Sequence, residues 1–323
     1  MIIKLFSGLI VSTALFQIFP VDGAQLEYQL EPSGAIAPGH LAVSEVRSDD
    51  VLFPKPHLFP TKVEVNSYGI VTTAQSSIVI DRVSGMVLFS EQPDQKRSIG
   101  SATKMMSARV FLDHDPDLSA YAKLDYNLDL VEGGRIYLRF DDALRVEDVL
   151  GASLVGSDNT ATQSLARLIG LSEEEFVAEM NAMARSLGMA DTVFVEPTGI
   201  DSDNISTAKD LVRLLRAVES DEILQRFMQQ EQISIVQQSG FGVTIENTNK
   251  LLGGYLDRGE YEVLGGKTGF LPEAGYVLAT TIAERDHAVD IVVLGAASKD
   301  ARINEVNGLA QWAFKTFDWL GDD

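Results

Sequence analysis

The sequence predicts an α+β protein: one antiparallel sheet assembled from distant segments and flanked by terminal helices, with an inserted helical subdomain. Three observations carry that prediction. Two strand-like runs lie early, at 76–81 and 86–90, joined by Arg82-Val83-Ser84-Gly85. Helical periodicity fills the middle of the chain, and strand-like runs return after Gly253-Gly254. A sheet closed by both ends of the chain leaves a cleft where its lobe meets the helical one.

The 323 residues suit one large domain or two small ones, with enough apolar content for a core. Twenty-six basic against 47 acidic residues give a formal net charge of −21, with no basic run to relieve it. That excludes a phosphate-backbone partner, so no nucleic acid is expected. It also requires any anionic substrate to meet a locally basic pocket. The chain has no cysteine, which removes disulfides, thiol catalysis and cysteine-ligated zinc. His40, His57, His114 and His287 are scattered without metal-ligand spacing, so neither a metal nor another cofactor is expected.

Residues 1–23 read as a cleaved export signal: Lys4, an apolar stretch from Leu5 to Phe19, then Gly23 and Ala24. This predicts a soluble, exported protein. Residues 24–73 carry Pro32, Pro38, Pro54, Pro56 and Pro60 without a sustained period, and are expected to form an extended or partly disordered lead-in. The folded domain is then 74–323, with a sheet lobe at about 74–112 and 255–323 and a helical lobe at about 113–254. After the first two strands, polar residues deliver the chain to Gly100 and a helix opened by Ser101. A hairpin is possible around Gly133-Gly134. Helices are predicted near 147–154 and 157–168; Ser172 with Glu175 forms a capping box for the next, which Gly188 ends. Thr207 with Asp210 starts another. Strands at 261–269, 275–283 and 288–296 and a helix from 301 to 319 close the chain.

Ser101-x-x-Lys104 is the first chemistry-bearing motif. If a helix starts here, Lys104 shares the face of Ser101 and of Met105, Ala108 and Leu112, so the lysine points inward. An ammonium in apolar surroundings has its pKa pushed down and can take a proton from a hydroxyl. Alone the pair is weak, since Ser101 also suits a helix N-cap and the spacing recurs at Ser206-x-x-Lys209. Two further motifs follow: Ser157-Asp158-Asn159, then Lys267-Thr268-Gly269. This ordered set marks class A β-lactamases and penicillin-binding proteins. A second Ser-Asp-Asn, at 202–204, precedes the second Ser-x-x-Lys, so those copies stand in the wrong order.

With Glu196-Pro197-Thr198-Gly199, Asn247-Thr248-Asn249 and Lys267-Thr268-Gly269-Phe270, the chain from about 74 to 319 resembles the low-molecular-mass penicillin-binding proteins, serine D-alanyl-D-alanine carboxypeptidases and endopeptidases. It is most similar to the penicillin-binding protein 7 type of endopeptidase. Two departures stand out: the second motif is commonly Ser-Gly-Asn, and Lys209 replaces a frequent arginine. A lysine cannot grip a carboxylate bidentately, so no such role is carried to Lys209.

The resemblance implies a β-lactamase/transpeptidase-like fold and a periplasmic serine D,D-peptidase that works through an acyl-enzyme. Peptidoglycan stem peptides would be its substrates and β-lactams its covalent inhibitors. Ser101 would attack the D-Ala carbonyl, Lys104 would take its proton, and Ser157 would relay a proton to the leaving nitrogen. Asn159 would bind the substrate amide and orient Lys104. Lys267 would depress the Lys104 pKa and, with Thr268, hold the substrate carboxylate; Gly269 and Phe270 complete that strand, with the N–H groups of Ser101 and Phe270 as oxyanion hole. Absence of a C-terminal anchor favours an endopeptidase cutting D-alanyl cross-links over a carboxypeptidase. A class A-like β-lactamase would need a deacylating base, and Glu196 has a compatible position but lacks the Glu-x-x-Leu-Asn context. An inactive cell-wall-binding protein is disfavoured by three intact motifs.

Overall fold

A computed structural model describes residues 59–319. The predicted export signal and most of the predicted lead-in lie outside the described residues. In chain order the strands are β1 (Thr61–Lys62), β2 (Ser76–Asp81), β3 (Val87–Glu91), β4 (Arg97–Ser98), β5 (Tyr121–Ala122), β6 (Leu144–Arg145) and β7 (Ile205–Ser206). They continue with β8 (Gln232–Val236), β9 (Gly242–Glu246), β10 (Tyr261–Leu271), β11 (Gly275–Glu284), β12 (His287–Ala296) and β13 (Phe317–Asp318). The helices are α1 (Lys104–Asp113), α2 (Tyr126–Asp129), α3 (Val146–Val155), α4 (Asn159–Leu168), α5 (Glu173–Ser186), α6 (Ala208–Glu219), α7 (Glu222–Gln229) and α8 (Lys299–Thr316). A 3₁₀ turn, Gly100–Thr103, leads into α1.

Five strands make the main sheet in the order β10-β11-β12-β2-β3, antiparallel throughout. Alternation along the strands sorts their side chains to two faces. Val79, Val289, Ile291 and Val293 pack with Leu309, Ala313 and Phe314 of α8. Ile78, Ile80, Val292 and Leu294 join the core of the helical lobe. Mixed α+β architecture with an inserted helical lobe is therefore what the structure contains.

Several boundaries differ from the sequence expectation. The packed region starts before residue 74, because β1 pairs with β13 and both the Thr73 amide and hydroxyl donate to Glu305 Oε1 at 2.6 Å. The last helix ends at Thr316, and Phe317–Asp318 become the strand that receives β1. Gly133-Gly134 is not the turn of a tight hairpin; the long excursion around it is closed by β5 on β6, a pairing between residues too distant for a hairpin signal. The helical lobe carries its own hairpin, β8 on β9. Helix α1, assigned by sequence to the sheet lobe, is the buried centre of the helical one, with Met105, Met106, Ala108 and Phe111 inaccessible.

The local signals that did specify structure have visible causes. Ser172 and Glu175 make the predicted reciprocal capping box, and Thr207 Oγ1 accepts from the Asp210 amide at 3.0 Å. Ser298 caps α8 through the Ala301 amide.

Candidate active site

The 3₁₀ turn carrying Ser101 is clamped between two glycines. A Cβ on Gly269 would collide with the Ile99 carbonyl and crowd the Ser101 nitrogen at 3.2 Å. Gly199, at φ +81°, abuts the Gly100 carbonyl so closely that no side chain fits. Ser101 does not act as a helix cap: Ile99 holds the N-cap position of the turn, and the hydroxyl makes no capping bond. It is left to accept a hydrogen bond from Lys104 Nζ at 3.1 Å.

Lys104 is 0 % exposed and Lys267 1 %. Lys104 Nζ also donates to Asn159 Oδ1 at 2.6 Å and to the Thr198 carbonyl. Burial pushes its pKa down to about 7, against the opposing pull of the Glu196 and Asp158 charges. Burial, the first of the two causes expected from sequence, is the largest: Lys104 touches no carboxylate and is out of water. Lys267 is held well below its ordinary value by burial, then by the nearby Lys104 and Arg302 charges.

Lys267 Nζ donates to Ser157 Oγ at 2.9 Å, so the two hydroxyls each sit on a buried lysine. Ser157 adopts φ +60°, a left-handed conformation uncommon outside glycine. Asp158 explains how it is held: its carboxylate caps α4 through the Ala161 amide at 3.0 Å and accepts from the Tyr137 amide at 3.0 Å. The middle residue of Ser-Asp-Asn thus fixes the turn, while Asn159, first in α4, reaches Lys104. Thr268 on β10 donates to Thr248 Oγ1 at 2.8 Å. Phe270 is half exposed and stacks on Tyr276 at 4.5 Å between ring centroids.

Ser101, Ser157, Thr268, Gly269 and Phe270 line one cavity of about 390 Å³. All the predicted site residues therefore converge on one cleft between β10 and the helical lobe. Sequence reasoning missed Arg302, which lines the same cavity from α8. Its guanidinium donates to the Gly269 and Val277 carbonyls at 3.2 and 3.1 Å, and burial lowers its pKa to about 10. A lone arginine in a helix carries no motif signal, and only the fold brings it to β10.

The rival residues have structural tasks. Glu196 accepts from the Thr198 amide at 2.7 Å, the Thr198 hydroxyl at 2.6 Å and Asn204 Nδ2 at 2.6 Å. Its carboxylate staples the loop under Lys104 and is fully engaged there. Asn204, from the second Ser-Asp-Asn, also reaches Thr103 Oγ1 at 3.2 Å. Ser206 is buried against Thr192, and Lys209 lies on the surface 3.4 Å from Asp94.

A buried lysine on each of two serines, with a cationic cleft beyond, is the apparatus of acyl transfer by a serine nucleophile. The model of the D-alanyl-D-alanine carboxypeptidase family, peptidase S11, matches residues 63–298. The chain belongs to this family of serine peptidases. The D-alanyl-D-alanine endopeptidase of Escherichia coli (strain K12) is 32% identical over 239 residues, covering 73% of this chain and 76% of that protein. D-alanyl-D-alanine carboxypeptidase DacF of Bacillus subtilis (strain 168) is 26% identical, over 76% of this chain and 63% of that protein. Among solved structures, the Streptomyces K15 DD-transpeptidase superposes with a TM-score of 0.71 at 25% identity, covering 77% of this chain and 100% of that one. Penicillin-binding protein D2 of Listeria monocytogenes, in a cefotaxime-bound form, gives 0.66 at 25% identity over 77% and 100%. The fold is thus that of the penicillin-binding proteins and transpeptidases, and the protein is a serine hydrolase.

Proposed function

We propose that this protein is a D-alanyl-D-alanine endopeptidase that cleaves D-alanyl cross-links between peptidoglycan stem peptides, with Ser101 as nucleophile. The single observation that carries the chemistry is Lys104: fully buried, 3.1 Å from Ser101 Oγ, and free of any contacting carboxylate. A lysine with a pKa of about 7 is substantially neutral at physiological pH and can accept the hydroxyl proton.

Ser101 Oγ attacks the D-Ala carbonyl as its proton passes to Lys104 Nζ. The tetrahedral oxyanion is held by the Ser101 and Phe270 N–H groups, where loss of one donor typically costs about 2.7 to 4 kcal/mol. Collapse breaks the C–N bond, and Ser157, hydrogen-bonded to Lys267, relays a proton to the leaving nitrogen. Water then attacks the acyl-enzyme, giving up a proton to Lys104 and releasing Ser101. Arg302 supplies positive charge that a substrate carboxylate needs in a protein of net charge −21, and Lys267 and Thr268 offer it hydrogen-bond donors. Asn159 fixes Lys104 and presents its amide to the substrate backbone. β-Lactams, which mimic the acyl donor, would acylate Ser101 and stay bound, since Glu196 is committed to its loop.

Endopeptidase action is favoured over carboxypeptidase action by the 32% identity to enzymes named for the former, against 26% to 30% for carboxypeptidases such as DacF and DacC. Among the described residues no helix is long and apolar enough to cross a membrane. The signal-like start of the sequence supports an exported, periplasmic protein. Incubation with purified cross-linked and uncross-linked muropeptides tests the reading. Conversion of dimers to monomers is expected; release of free D-alanine with dimers intact would make the enzyme a carboxypeptidase.

A further inference from the structure

The Ser101 cavity extends well past the groups that the reaction uses. Its outer wall brings Arg135, from the loop before β6, together with Glu246 at the end of β9, Lys250, and Lys299 at the start of α8. We propose that this outer half is a second anion subsite, in which Lys299 and Arg135 take a carboxylate of a second peptide chain on the leaving side of the scissile bond. The inference rests on the D,D-peptidase reading and specifies its substrate class.

Charge is the first argument. The chain carries −21, yet this cavity is lined by four cations and one carboxylate. Lys250 is matched, 2.7 Å from Glu246. Arg302 serves the inner strand carbonyls. Lys299 and Arg135 are in surplus: among the described residues neither forms an ion pair, and Arg135 contacts only the Tyr137 hydroxyl at 3.2 Å. Both lie close enough to Glu246 to help hold its carboxyl below the ordinary range, after the larger effect of Lys250.

Position is the second argument. Lys299 is the first residue of α8, where the positive end of the helix dipole disfavours a cation. A residue set against its local preference points to a task outside the helix. Arg135 and Lys299 also come from separate elements, the loop before β6 and the start of α8, and both present exposed side chains to the same cavity.

The substrate chemistry fits. A single stem peptide presents one terminal carboxylate near the scissile bond, which Lys267 and Thr268 take. When the leaving group is itself a peptide, it carries its own terminal carboxylate farther from the reacting carbonyl. Solvent-exposed charge pairs of this kind add modest affinity and are weakened by salt.

The test uses Ser101→Ala protein, so that no bond is cut, and calorimetric Kd values for two probes. One is a pentapeptide ending in D-Ala-D-Ala; the other is two stem peptides joined through a D-alanyl amide. At low salt the joined peptide is expected to bind about tenfold more tightly, with the preference reduced to under about twofold by 0.5 M salt or by Lys299→Met, and kept by Lys299→Arg. Equal affinities would overturn the subsite, as would a preference that survives Lys299→Met combined with Arg135→Gln. Failure of the endopeptidase reading would appear separately, as dimers left uncut by wild-type enzyme.

Discussion

The active-site cluster and the Arg82 cluster both bury charge between the sheet and the helical lobe, but only the second has its charges matched. Arg82 Nη1 pairs with Asp290 at 2.8 Å and with Glu219, and Arg216 Nε binds the other Asp290 oxygen. Thr281 Oγ1 lies 2.8 Å from Glu219. Two arginines and two carboxylates from β12, α6 and the turn after β2 thus staple the lobes together. At the active site the two fully buried cations are lysines, and they touch hydroxyls, an amide oxygen and carbonyls. Arginine keeps its proton in almost any surroundings, whereas lysine gives it up when buried without a counter-ion. Matched charge makes a joint; unmatched charge makes a base.

Substitutions that exchange these properties should separate reaction from stability. Ser101→Ala should abolish covalent labelling by a fluorescent penicillin, while Ser206→Ala should label fully. Lys104→Met should lower the acylation rate by about 10²- to 10⁴-fold with the thermal transition retained, the usual reach of a lost general base. In the other cluster, Asp290→Ala leaves two guanidiniums without their shared carboxylate and should cost about 3–5 kcal/mol of stability in denaturant unfolding, as buried pairs do when one partner is removed. Protein that remains folded should still label at Ser101.

The smallest effect belongs to Glu219. Burial raises its pKa to about 7 despite Arg82 and Thr281, from an ordinary value of 4.5. Between those values the folded state holds more protons than the unfolded one, so this group makes stability fall as pH rises through that window. Glu219→Gln should flatten the dependence. A pH–stability curve between 4.5 and 7 that keeps its slope in the variant would assign the titration elsewhere.

The sequence revealed the site better than it revealed the fold that holds it. Ser101, Lys104, Ser157, Asn159, Lys267 and Thr268 were legible because the chemistry demands fixed residue types at fixed local spacing, and the order of the motifs excluded the copies at 202–204 and 206–209. Arg302 was invisible because its role depends on α8 packing over the sheet so that this side chain reaches the Gly269 carbonyl of β10, a contact with no local trace. The same holds for β1 on β13 and β5 on β6, which join distant two-residue segments. Burial was legible only in part. Sequence could place Lys104 on an inward face and expect a lowered pKa, but only packing shows that the ammonium is fully out of water with no carboxylate in contact.

The central claim is that Ser101 is activated by a lysine made neutral through burial. The direct measurement is the second-order rate of Ser101 acylation by penicillin between pH 5 and 9, with the adduct located by peptide mass spectrometry. Lys104 must lose its proton to act, so the rate should rise about tenfold per unit at low pH and level off above an apparent pKa of about 7. The plateau should vanish with Lys104→Met. A rate independent of pH across this range, or an adduct on any residue but Ser101, would contradict the account.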